Sequence, residues 1–175
     1  QYVYYANDYG GELFAEGTSD SLITFTSRNG LVGGWDGIFF HYNSDAFTSV
    51  SSMKYCLVEK GKDFNIKSAG SAQPRIDNCT INNSNGYDIW AAEPNDVQHV
   101  TATGSTLYVG GGTQSWDKTW FNFGGEYVVL DNIIIAKKNA YSTLTIEPGI
   151  IIDFQPDVQF QVGQSIYYNN LYGGE

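Results

Sequence analysis

An all-β chain wound as a β-solenoid is the fold class this sequence predicts, and three observations carry the expectation. Residues 144–163, LTIEPGIIIDFQPDVQFQVG, read as three short strands cut by EPG and QPD, with Leu144, Ile146, Ile150, Ile152, Phe154, Val158, Phe160 and Val162 alternating with mostly polar neighbours. Three strands that close together make one coil. Strand-like runs recur roughly every 8 to 12 residues elsewhere, with no amphipathic helix between them, which removes doubly wound and (β/α) barrel folds and leaves a sandwich open on spacing alone. Aligning MKYCLVEKG with RIDNCTINNS sets Cys56 over Cys79 and Val58 over Ile81 at one offset of 23 residues, the length of a coil of three strands with turns.

In chain order, residues 1–9, QYVYYANDY, form a Tyr-rich segment with no charge before Asp8, suited to pair with an exposed strand edge. LFAEG and LITFTS then read as strands around the turn GTSD, followed by strands at 37–42, 53–61, 64–67, 75–81 and 87–91. VQHVTAT and STLYVGGG come next, then the insertion-like QSWDKTWFNF with Trp116 and Trp120, then GGEYVVL and NIIIAKK leading into 144–163. The expected division is a Tyr-rich segment 1–11, a solenoid 12–163 of about six or seven coils, and a C-terminal segment 164–175.

Composition agrees with strands and turns. In 175 residues there are 20 Gly, 13 Tyr and 10 Phe but only 16% charged residues, in a chain long enough for one domain with a real core. A net charge of −10 argues against nucleic acid, because phosphate contacts need clustered Lys and Arg, and Lys60, Lys62, Lys137 and Lys138 are scattered. No apolar run approaches the roughly 20 residues of a bilayer span. Opening on Gln1 suggests a processed, secreted product or a piece cut from a longer chain, so the expected location is extracellular or the cell surface. Two glycosylation triplets, NCT at Asn78 and NNS at Asn82, fit that compartment.

LFAEGTSDSLITFTS, GGWDGIFF, MKYCLVEKG and LTIEPGIIIDF resemble units of bacterial and archaeal cell-surface proteins with right-handed parallel β-helix repeats, loosely related to the pectate-lyase-like fold. The resemblance covers most of 12–163 and implies a single right-handed parallel β-helix; it says almost nothing about activity. In such proteins the EPG-type coil precedes the AEGT and ITFTS coil, whereas here it is C-terminal, a circularly permuted order.

Residues 167–175, YYNNLYGGE, repeat residues 4–12, YYANDYGGE, at an offset of 163 with seven identities in nine. If the last coil of one copy precedes the first coil of the next, the usual order returns across the junction. A solenoid leaves an open strand edge at each end, so the ends look made to be joined, by stacked subunits or within a polyprotein of 163-residue repeats. The expected junction residues are Tyr2, Val3, Tyr4, Tyr5 and Tyr9 with Ile166, Tyr167, Tyr168 and Tyr172; tyrosine buries a large ring and keeps a hydroxyl for water or backbone.

Other chemistry is sparse. Cys56 and Cys79, about 4.8 Å apart if stacked, either form a disulfide or pack as reduced thiols. Arg28 and Arg75 stand near no Asp cluster in the text, Asp36, Asp45, Asp77, Asp88 and Asp96 are isolated at turns, and His41 and His99 have no partner at metal spacing. The expectation is a structural protein that is not an enzyme, with no cofactor except structural calcium at acidic turns, and with itself as head-to-tail partner. The alternative is an adhesin segment binding a cell-surface glycan, with Trp116 and Trp120 stacking on sugar rings and Trp35 and Trp90 packed in core or groove; a polysaccharide lyase or hydrolase is the remaining alternative.

Overall fold

Short strands, most with apolar side chains at their buried positions, follow one another through residues 10–41, 50–70, 72–97, 99–138 and 140–163, the residues that the computed structural model describes. They are β1 (Phe14–Glu16), β2 (Ile23–Phe25), β3 (Ile38–Phe40), β4 (Ser52–Lys54), β5 (Cys56–Glu59), β6 (Phe64–Ser68), β7 (Arg75–Asn82), β8 (Tyr87–Ala91) and β9 (Val100–Thr103). The series continues with β10 (Thr106–Val109), β11 (Gly112–Gln114), β12 (Lys118–Trp120), β13 (Glu126–Val129), β14 (Ile133–Ile135), β15 (Leu144–Ile146), β16 (Ile151–Phe154) and β17 (Phe160–Val162). The ladders between these strands are parallel, and they stack as a β-solenoid of about five turns.

One sheet runs the length of the stack in the order β3, β6, β8, β10, β13, β16. Its six rungs are separated by five full turns, against the six or seven coils that length suggests. The turns are uneven: Ile38 pairs with Ile66, 28 residues on, and Ile89 with Leu107, only 18 on. A second wall is bent, with β1, β4 and the start of β7 on one limb and β2, β5 and the end of β7 on the other. Beyond β9, which pairs with β7, this wall is replaced by two separate ladders, β11–β14–β17 and β12–β15. QSWDKTWFNF is therefore wall and no insertion, since Lys118 and Trp120 pair with Leu144 and Ile146.

The core consists of columns along the axis. Ile38, Ile66, Ile89, Leu107, Tyr127 and Ile152 stack in register, as do Ala15, Met53, Ile76 and Val100. The inner members are buried, and each rung covers the apolar face of the next. Residues in the left-handed backbone region turn the corners: Tyr55 and Asn78 on successive coils, then Lys60 and Asn83, with Lys60 N donating to the Asn83 carbonyl at 3.1 Å. Asn65, fully buried, braces the same corner by accepting from Gly61 N at 2.8 Å and donating to the Asn82 carbonyl at 2.7 Å.

Candidate assembly surfaces at the two ends of the stack

Inward-pointing side chains are sealed in the middle of a solenoid by the coils on either side and lose one of those covers at its ends. The apolar residues that pack on the core while staying partly exposed are Leu13, Ile23, Phe25, Trp35 and Ile38 at one end and Leu144, Ile150, Ile152, Val158 and Phe160 at the other. Three further positions show the effect strongly. Phe154 continues the column of Val129, Ile146 that of Trp120 and Val162 that of Ile135; the inner partners are buried, whereas Phe154 and Ile146 are each 43% exposed and Val162 is 77% exposed.

Strand edges follow the same division in part, since β9, β11 and β12, where the wall changes, also have one partner each among the described residues. Among the described residues β1, β2 and β3 pair on one side only, as do β15, β16 and β17 at the opposite end. Their outer edges, unpaired among the described residues, carry backbone donors and acceptors that a further strand would satisfy. Between the end of β17 and the segment that leads from β14 to β15 lies a cleft of about 330 Å³, lined by Ile135, Lys137, Tyr141, Val162 and Gly163 among others, with Tyr141 94% exposed. The Tyr-rich junction residues, Tyr2, Val3, Tyr4, Tyr5 and Tyr9 with Ile166, Tyr167, Tyr168 and Tyr172, lie outside the described residues.

The other sequence-derived candidates separate. Cys56 and Cys79 are free, buried thiols on adjacent coils, next to the Val58–Ile81 pair. Asn78 is exposed at its corner, its N–H donating to the Thr101 hydroxyl at 2.8 Å, while Asn82 is half-buried with its carbonyl held by Asn65. Trp116 is exposed, but Trp120 is fully buried and stacked flat on Tyr127 at 4.9 Å, so only Trp116 of the pair offers a ring to solvent. Trp120 sits in the core because it follows Lys118 by two positions on β12, on the inward face.

Folding also gathers groups that are distant in sequence. Asp77 receives Arg75 Nε at 2.6 Å and lies 3.4 Å from His99 Nε2, whose ring packs on Phe121 at 4.3 Å. Asp36 lies ahead of β3, Asp88 on β8 and Asp96 in the turn after β8, Asp45 lies outside the described residues, and among the described residues no three His, Cys, Asp or Glu side chains gather as metal ligands. Asp88 is half-buried, and desolvation raises its carboxyl above the usual range despite bonds from Ser84. Where the bent wall gives way to the two ladders, Gln114 Oε1, Lys118 Nζ and Trp120 Nε1 are buried without a hydrogen-bond partner, and desolvation lowers the Lys118 amine to about 8.

Sequence reading also missed an aromatic ridge on the outer face of the long sheet. Phe39, Phe64, Trp90, Tyr87 and Tyr108 follow one another at centroid distances of 6.4, 6.4, 5.3 and 4.6 Å, and Lys67 Nζ sits 3.7 Å from the centre of the Trp90 ring. IFF, FNIKS and YDIWA each hold outward aromatics, but only the offsets between coils align them. Comparison with protein-family models, with curated proteins and with solved structures returns no match to this chain.

Proposed function

We propose that this chain is a structural, extracellular subunit, not an enzyme, that assembles head to tail through the open ends of its solenoid into a filament, sheath or surface layer. The observation that carries this reading is that column residues stay partly exposed at both ends: Ile38 begins a column that Ile152 finishes, both only partly buried, and Phe154 closes the neighbouring column, which buried Phe40 begins, with 43% of its surface exposed. A second copy stacked along the axis continues both, burying apolar surface at about 25 cal/mol per Å² and supplying partners to open strand edges. The near-duplicate segments 4–12 and 167–175 add sequence support, as does the permuted order of units resembling pectate-lyase-like cell-surface repeats. The contact is heterologous, which gives open polymers in place of closed dimers.

Negative-stain electron microscopy with size-exclusion chromatography over a range of concentrations tests the reading. Filaments with an axial repeat of roughly 30 Å, about six rungs at 4.8 Å, are expected. A monomer at every concentration overturns it.

Glycan binding is the second reading, favoured by the aromatic ridge, whose partly exposed, mutually tilted rings follow one another along successive coils. Its test is a glycan array with Tyr87→Ala and Trp90→Ala beside Trp116→Ala. Signal lost only with the ridge variants supports it, and an array without signal for the unmodified chain removes it.

A further inference from the structure

We propose that the outer edge of β15, unpaired among the described residues and entered from the segment that lines the Tyr141 cleft, is a slot for a strand and that its occupant in the assembly is the N-terminal segment of a second copy, residues 1–5; this rests on the head-to-tail reading above. The likeness of the two terminal segments extends beyond 4–12. QYVYYANDYGGE and QSIYYNNLYGGE align from Gln1 on Gln164, with Val3 on Ile166. Two such similar sequences fit one place in a coil, and only one of them can fill it.

Register identifies the place. Gln114, Ile135 and Val162 stack in one column, and Lys118 and Leu144 begin the adjacent ladder. The corner between these ladders spans four residues from Gln114 to Lys118 and nine from Ile135 to Leu144; a corner of the shorter kind after Val162 would set position 166 over Leu144, 167 over Thr145 and 168 over Ile146. The N-terminal equivalents are Val3, Tyr4 and Tyr5. An apolar–polar-tolerant–apolar triplet matches β15, where Leu144 packs on the core and Ile146 continues the buried Trp120 column.

Either the chain's own residues 164–168 or a neighbour's residues 1–5 meet these requirements, and the neighbour's segment has the advantage. It arrives joined to β1–β3, whose Leu13, Ile23, Phe25 and Ile38 also need cover. Docking in trans therefore buries both open ends in one event, whereas the chain's own segment covers one. Assembly is then an exchange of one strand for its near-copy, with main-chain hydrogen bonds preserved.

Cysteine crosslinking tests the assignment on the full chain. A chain carrying Tyr4→Cys is mixed with one carrying Thr145→Cys and oxidised; a single chain carrying Tyr167→Cys with Thr145→Cys is oxidised in parallel, and Cys56 and Cys79 are replaced by Ala throughout. The expected result is a disulfide-linked heterodimer as the main product on a non-reducing gel, shifting to monomer mass on reduction. If only the intramolecular Tyr167–Thr145 disulfide forms while filaments persist by microscopy, the trans assignment is overturned and the head-to-tail reading stands. If that disulfide forms and the chain is monomeric at every concentration, both fail.

Discussion

The amide of Cys56 donates to the sulfur of Cys79 one coil away at 3.4 Å, and the Cys56 thiol donates to the Ala15 carbonyl of the preceding coil at 3.3 Å. The two side chains thus tie three successive coils together, reaching from the Cys56 limb of the bent wall across to β1 on the other. Desolvation pushes both thiols up, Cys79 to about 12, so neither supplies a thiolate at neutral pH. Both are expected to resist a maleimide in the native chain and to react fully in denaturant, counted by intact mass. Cys79→Ala should cost about 1–2 kcal/mol, one buried methylene-sized group plus part of its cavity.

Lys118 gives the chain a stability that changes with pH. Desolvation holds its amine near 8 in the folded chain against 10.5 when free, so between those values the unfolded chain binds more protons and stability rises with pH. Cys79 acts in the opposite sense, since its unfolded thiol ionises near 9.0 and its folded one near 12, so its contribution falls over that range. The difference between the parent and Lys118→Met isolates the lysine. That variant should melt several degrees higher at neutral pH, with the gap closing as pH approaches 10.5; a gap that does not vary with pH would refute the buried charge.

Asn65 is the corner brace whose loss should be most costly. Asn65→Leu strands Gly61 N–H and the Asn82 carbonyl in a buried corner, and each unsatisfied group costs about 1–3 kcal/mol. The thermal midpoint should drop by about 2–4 °C for each kcal/mol lost. Asp88→Asn, beside it, should be neutral or stabilising at neutral pH, because burial already disfavours the carboxylate. Thermal melts of the two variants side by side separate loss of the brace from loss of charge.

The fold was legible because a parallel solenoid repeats its geometry. One offset read from Cys56 and Cys79 is the offset at which Val58 pairs with Ile81, and EPG and QPD mark the breaks between β15, β16 and β17. What was not legible depends on coil lengths that vary. Trp120 reads like its neighbour Trp116 until β12 turns it inward, and the ridge from Phe39 to Tyr108 emerges only when coils of unequal length are stacked. His99 meets Asp77 for the same reason, across a ladder whose register shifts between Ile76 and Cys79.

Head-to-tail contact makes a prediction about mixtures that two-fold contact does not. Phe154→Asp places a charge at one end of the stack and Ile23→Asp at the other, where each would be buried without a partner in the assembly and would weaken it strongly. The Phe154 variant should fold almost unaffected, since the side chain is already exposed, while the partly buried Ile23 site should cost more in a thermal melt. Each variant alone should sediment as a monomer. Mixed in equal amounts they should form dimers and nothing longer, because the intact end of one meets the intact opposite end of the other and both remaining ends carry a charge. Sedimentation velocity reads this directly: dimers from one variant alone would mean that like ends meet, and monomers in the mixture would mean that these two surfaces are not the two halves of one contact.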